Sequence, residues 1–155
     1  TYLTIAYDRY SEALTENLSI EKRVMNVMMG IEAIFSNDNM EVNYKIRQRA
    51  ALLCSFFDKE PLRIASTIKE GYSIRSTFAH GGILEKKSAE KIAHKFQDID
   101  LFVKELLDTL RISIVVCIIC RIKKKDFIDL LDGAMIDCKK NDELSRYLQD
   151  ATLLK

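Results

Sequence analysis

Residues 92–120, "IAHKFQDIDLFVKELLDTLRISIVVCIIC", decide the fold class. Ile92, Phe96, Ile99, Val103, Leu106 and Leu110 recur at spacings of four and three, the period of one helix face rather than the alternation of a strand. Ser88 stands where a cap for this fifth helix is expected. From Ile112 to Cys120 the run is apolar on every side, so the helix is central or covered by a partner. That run is about half the length needed to span a bilayer, which makes it a buried helix segment. "RIKKK", Arg121 to Lys125, marks its end.

Working outward, the remaining chain is also helical. A first helix is expected over about Tyr2–Glu16, with Leu3, Ala6, Tyr7, Tyr10 and Leu14 on one side. Ser19 can cap a second, running to about Phe35 on a stripe of Ile20, Val24, Met28, Ile31 and Phe35. "SNDN" (36–39) breaks the pattern, and a third helix covers Val42–Phe57. Pro61 is a good first-turn residue for a fourth, which continues to about Ala79, where Gly81 and Gly82 stop it. Shorter helices follow near Phe127–Ile136 and Asp142–Leu153. The expectation is an all-α helical bundle with one long core helix. It forms a single domain over residues 1–155, with a core over about 2–125 and short C-terminal helices over 126–155.

Composition narrows the function classes. Almost half of the 155 residues are apolar and the net charge is +1, a balance that argues against disorder. It also argues against a sequence-blind electrostatic coat on nucleic acid, although a local basic patch can serve. Cys54, Cys117, Cys120 and Cys138 lie in apolar or helical surroundings, as small buried hydrophobes do in a reducing, cytoplasmic compartment. Cys117 and Cys120 have CxxC spacing but no Gly/Pro or helix-start context for redox work, and no second ligand pair suggests zinc. No signal peptide is visible. The chain opens on Thr1, as an excised piece of a longer protein would.

The fourth helix carries the chemistry. Ile64, Ile68, Tyr72 and Ala79 share an apolar arc, and Arg75 falls in its middle. A guanidinium there needs an anion, a carbonyl cluster or a wet groove. Tyr72, Ser76 and His80, at i, i+4 and i+8, form a polar row on the arc's edge. Arg75 and His80 stand about 140° apart on an ideal helix. They converge on one ligand only if the helix loosens at its end or a second copy supplies the partner. Such an Arg/His spacing arises by chance in roughly one such chain in three, so the weight rests on the arginine's place on the apolar side.

"YSIRSTFAHGG" (72–82) resembles the Arg-x4–6-His signature of HEPN domains, and specifically of the Apea-like HEPN family. "EKRVMNVMMGIEAIFS" (21–36) is similar to that family's helix with an aliphatic-Glu-Ala-aliphatic-Phe core, and "YKIRQRAALL" (44–53) to its intervening helix. The resemblance covers about Tyr2 to Cys120. Many HEPN domains carry Asn, Asp or His after the arginine, where this chain has Ser76, usual in the Apea-like branch. The resemblance implies a HEPN-type bundle that forms a homodimer and cleaves RNA with no metal or other cofactor. It also implies a role in defence or stress response; the opening on Thr1 adds other domains of a longer parent protein as expected neighbours. Some HEPN domains are inactive, so a non-catalytic dimerisation module that binds RNA or protein is the alternative, and a helical scaffold a third.

On these residues, cleavage by the RNA 2′-hydroxyl needs proton transfer and positive charge. His80 supplies the first, since imidazole is the side chain that ordinarily exchanges protons near neutral pH, and Arg75 supplies the second. Ser76 and Tyr72 position phosphate or water, or simply stabilise the helix. Glu32 either pairs with Arg75, as the matched family position implies, or is a solvated edge carboxylate. Arg121, Lys123 and Lys124 are possible phosphate contacts, or a plain basic helix end. His94 is an exposed helix residue.

Overall fold

A computed structural model describes residues 1–15, 17–37 and 40–153. Among them are nine helices and no strand: α1 (Tyr2–Ala13), α2 (Ile20–Phe35), α3 (Val42–Ser55), α4 (Pro61–Ala79), α5 (Lys86–Phe96), α6 (Ile99–Cys120), α7 (Lys124–Ala134), α8 (Cys138–Tyr147) and α9 (Gln149–Thr152). The protein is an all-α bundle around α6. That helix buries Phe102, Val103, Leu106 and Leu110 against Met28, Ile31 and Ile68 in one continuous core. Its two buried hydroxyls are satisfied within the helix: Thr109 donates to the Glu105 carbonyl at 2.8 Å and Ser113 to the Thr109 carbonyl at 2.7 Å. The centre of the bundle therefore holds polar side chains without leaving their protons unmatched.

The expected long helix from Ser88 to Cys120 is two helices. Gln97 takes a left-handed φ of 75° and Asp98 caps α6, its side chain accepting from the Leu101 amide at 2.7 Å. Phe96 and Ile99 both still pack on the core across the break, so apolar spacing alone does not register it. Ser88 is not a cap but an exposed residue inside α5, which starts at Lys86 with Glu85 before it.

Helix α1 ends at Ala13, and Glu16 lies outside the described residues. It runs antiparallel to α2, with the Arg23 Nε donating to the Ala13 carbonyl at 3.1 Å. Gly30 lets the helices close up: a Cβ there would lie 3.3 Å from the Ala6 carbonyl oxygen and 2.7 Å from a Leu110 methyl. The buried stripe is narrower than expected as a result. Ala6 and Ala13 are inside, whereas Tyr7 and Leu14 are exposed.

Ser19 caps α2 as expected, accepting from the Lys22 amide, and α2 ends at Phe35. Asp38 and Asn39 of the expected breaker lie outside the described residues. Helix α3 stops at Ser55, short of Phe57, and α4 has the expected bounds. The C-terminal helices begin earlier than their apolar residues suggest, at Lys124 and Cys138, and the last splits at Leu148. Among the described residues no helix is long and apolar enough to cross a membrane.

Candidate functional site

Helix α4 is built to be held at its start. Pro61 occupies the first turn, and the Glu60 carboxylate accepts from the Leu62 and Arg63 amides. Arg63 grips Glu105 of α6 through Nε and Nη2, at 2.7 Å for the closest approach, and lies 4.2 Å from the centre of the Phe96 ring. The charge-assisted bond to Glu105 raises the Arg63 pKa further. Thr67 Oγ1 stands 2.9 Å from the other oxygen of Glu105.

One turn before the site, Gly71 brings α4 onto the bundle. A Cβ at that position would sit 2.8 Å from the Met28 sulfur and 3.2 Å from both Leu106 methyls. Four residues on from Gly71 is Arg75, and four on from Met28 is Glu32. The two meet: the Arg75 Nη2 donates to the Glu32 Oε2 at 2.9 Å. Both are half-buried, with 28 % of the arginine side chain and 20 % of the glutamate exposed. Burial pushes the Glu32 carboxyl above its ordinary range, and the Arg75 charge pulls it back in part. The guanidinium carbon lies 5.7 Å from the centre of the Tyr72 ring, within reach of a cation–π attraction.

The pair is joined by one hydrogen bond, not a fork. Arg75 Nε and Glu32 Oε1 are both buried without a hydrogen-bond partner. An unmet buried polar atom costs about 1–3 kcal/mol, so the arrangement is held by the helices that carry it rather than by its own polar contacts.

His80 is the residue after α4, exposed, with φ −92° and ψ 16°. Its amide still bonds the Ser76 carbonyl, at 3.3 Å, and Ser76 itself is half-buried. Gly81 then turns left-handed (φ 79°), and the Gly82 amide bonds back to the Thr77 carbonyl at 2.9 Å. Gly82 packs on Thr77 so closely that a Cβ would lie 2.7 Å from its methyl. The strap over 81–85 is tied to α2 where the Leu84 amide donates to Glu21 Oε1 at 3.2 Å. Hydrogen bonds from backbone amides, its own first and then that of Leu84, hold the Glu21 carboxyl below its usual range.

The structure thus brings Arg75, Glu32 and Tyr72 together. Arg75 and His80 share no hydrogen bond, and Ser76 and His80 show no side-chain hydrogen bond among the described residues. Of the basic residues at the end of α6, Arg121 is exposed in a left-handed conformation and Lys123 is an exposed N-cap. Lys124 is half-buried, 5.9 Å from the centre of the Tyr2 ring, and burial and then the nearby Arg49 charge lower its pKa. His94 is exposed.

Arg49 is the charged residue that reading by motif missed. It is 2 % exposed and holds Asp132 through a fork of two 2.7 Å bonds, together with the Phe35 carbonyl and Asn37 Oδ1. The signal was present: Arg49 sits three residues after Ile46 and four before Leu53, both fully buried.

Cys54 and Cys117 are buried, and burial pushes both thiols up to about 12. Cys120 is half-buried and its thiol donates to the Tyr147 carbonyl at 3.4 Å. Cys138 differs from the expected buried role, being exposed at the first turn of α8. Among the described residues no group of three or more His, Cys, Asp or Glu side chains is disposed to hold a metal ion. Comparison with protein-family models, with curated proteins and with solved structures yields no match to this chain.

Proposed function

We propose that this protein is a metal-independent endoribonuclease of the HEPN type, working in the cytoplasm in defence against invading nucleic acid or in stress response. The observation that carries the reading is the Arg75–Glu32 contact. A guanidinium stands part-exposed on the core side of α4, aimed by a carboxylate, one turn from a histidine on an open helix end. Arg75 faces the phosphoryl oxygens and offsets charge as it develops there. Glu32 is a positioning residue.

In this scheme the His80 imidazole takes the proton from the RNA 2′-hydroxyl. The 2′-oxygen bonds to phosphorus, the bond from phosphorus to the 5′-oxygen breaks, and the leaving 5′-oxygen receives a proton. The products are a 2′,3′-cyclic phosphate and a 5′-hydroxyl. One histidine serves both steps poorly, because it must be base and acid at once. A homodimer that sets two copies of the α4 end across one groove supplies the second imidazole, and it also removes the need for Arg75 and His80 of one copy to converge.

The deciding experiment incubates the full chain with single-stranded RNA in excess chelator and identifies the products by mass. Cyclic-phosphate ends from wild type, lost in folded His80→Ala and Arg75→Ala, are the expected result. Intact RNA throughout, with RNA or protein still bound, favours a non-catalytic binding module. That second reading draws on the same contact, since Glu32 occupies the charge that a phosphate would meet.

A further inference from the structure

A groove of about 380 Å³ lies between α4, the strap over 81–85 and α5. Ser73 and Thr77 line it, and on a regular helix each stands about 160° around α4 from Arg75. His80 follows Ser73 by seven residues and comes within about 20° of it. By helix phase the candidate histidine, which does not itself line the groove, is thus on the same side of α4 as the groove, and the candidate arginine is on the α2 side, where it meets Glu32. A strand that runs from the arginine of one copy to the histidine of the same copy crosses the end of α4, and a strand that meets only the histidine lies on the groove side from the start.

The lining suits one nucleotide. The volume is at the lower end of the range for small-molecule sites, about 300–1,000 Å³. Polar and apolar groups share the wall. Ile74 and Ile92, both buried, and the half-buried Leu84 form an apolar trough, and Ile83, 73 % exposed, lines it as well. Ser73, Thr77 and Ser88 offer hydroxyls. Four charges stand at the rim. Glu70 is neutralised by Lys95 at 3.0 Å, whereas Lys91 and Glu85 hold no ion pair among the described residues. Glu85 makes no capping hydrogen bond, and the first turn of α5 carries no acidic residue. Lys91 and the uncapped start of α5 thus border the same groove as Glu85, an acceptor for base N–H groups.

We infer that this groove seats one nucleotide of a single-stranded RNA, the neighbour of the phosphate that meets His80. The base lies in the isoleucine trough, the ribose meets the α4 hydroxyls, and the phosphate on its far side meets Lys91 and the start of α5. The inference rests on the ribonuclease reading for its orientation, but the groove can be tested without any cleavage.

Amide NMR spectra of the full chain are titrated with a 5′-mononucleotide and, separately, with inorganic phosphate. Saturable shifts at Thr77, Leu84, Ser88 and Ile92 with the nucleotide are expected, weakened at least tenfold in Ser73→Trp, which fills the groove, and in Lys91→Glu. If wild type cuts RNA, both variants should raise KM by a similar factor with kcat little changed. Shifts that persist in both variants, or that phosphate alone reproduces in full, overturn the proposal. RNA cleavage with a silent nucleotide titration also overturns it and leaves the ribonuclease reading standing. Saturable groove binding without cleavage upholds the groove and sinks that reading instead.

Discussion

Arg75 on α4 and Glu32 on α2 share a single 2.9 Å hydrogen bond, while the second glutamate oxygen and the arginine Nε are buried without partners. The contact is one-pronged because each side chain is delivered by its own helix, and the helices are fixed by the packing of Gly71 on Met28 and Leu106. Position is set by the core, and the polar atoms accept what it leaves them.

That relationship gives Glu32 a pH signature. Its carboxyl is raised in the folded chain, burial outweighing Arg75, so the native state holds this proton more tightly than the unfolded one. Such a group contributes stability at acid pH, and the contribution is lost as pH rises through the folded value. Wild type should therefore lose ground to Glu32→Gln as the pH rises out of the ordinary carboxylate range. Denaturant midpoints of the two proteins across that rise check it, and a wild type that gains on the variant contradicts it.

His80→Ala and Arg75→Ala should separate activity from stability. The imidazole is exposed, so its removal should change stability by no more than about 0.5 kcal/mol. RNA cleavage should nonetheless fall by about 100-fold or more, the usual contribution of a general acid or base. Arg75→Ala should abolish cleavage and also cost about 1–2 kcal/mol, because it strands the half-buried Glu32 carboxylate. Product assays beside thermal melts measure both.

The Arg49–Asp132 clasp joins α3 to α7. Asp132→Ala leaves a buried guanidinium with only the Phe35 carbonyl and Asn37 to meet it. Breaking a buried pair costs about 3–5 kcal/mol, and the 46 % exposure of Asp132 lowers the expectation to about 2 kcal/mol. A urea titration read by far-ultraviolet circular dichroism measures it. A loss below about 0.5 kcal/mol means that the clasp adds little.

Gly30→Ala should be worse than Gly71→Ala. Both gain up to about 1 kcal/mol of helix propensity, and both overpack, which costs about 1–3 kcal/mol. At Gly71 the nearest obstacle is the Met28 sulfur, part of a flexible, unbranched side chain. At Gly30 the new methyl meets Leu110 and the Ala6 backbone, which moves only with α1. The difference in melting temperature between the two variants checks the order.

Much of the bundle was legible in the sequence because most helices here bury a regular stripe. The Ser19 cap, the Pro61 start and the glycine stop of α4 were readable from single residues with one physical use each. The break at Gln97–Asp98 was not, since the apolar spacing continues across it, although Asp98 directly before Ile99 was itself a cap signal. Arg75 was readable because it interrupts an apolar arc. Arg49 interrupts one as well, but its partner Asp132 lies 83 residues away and no local pattern pairs them. The α4/α5 groove depends on Gly82 folding the strap against Thr77, a tertiary contact that spacing does not encode.

Helix α4 is held by side chains at its first turn and along its middle but not at its last turn. Arg63 is bound to Glu105 and lies over Phe96, whereas the last turn closes through backbone amides onto an exposed His80 and a left-handed Gly81. Local opening free energy should accordingly fall along the helix, and amide hydrogen exchange should quicken from Thr67 to His80. Opening that last turn breaks a few backbone bonds and leaves the arginine anchored. The reach between the two candidate side chains thus becomes a property that a bound strand can select.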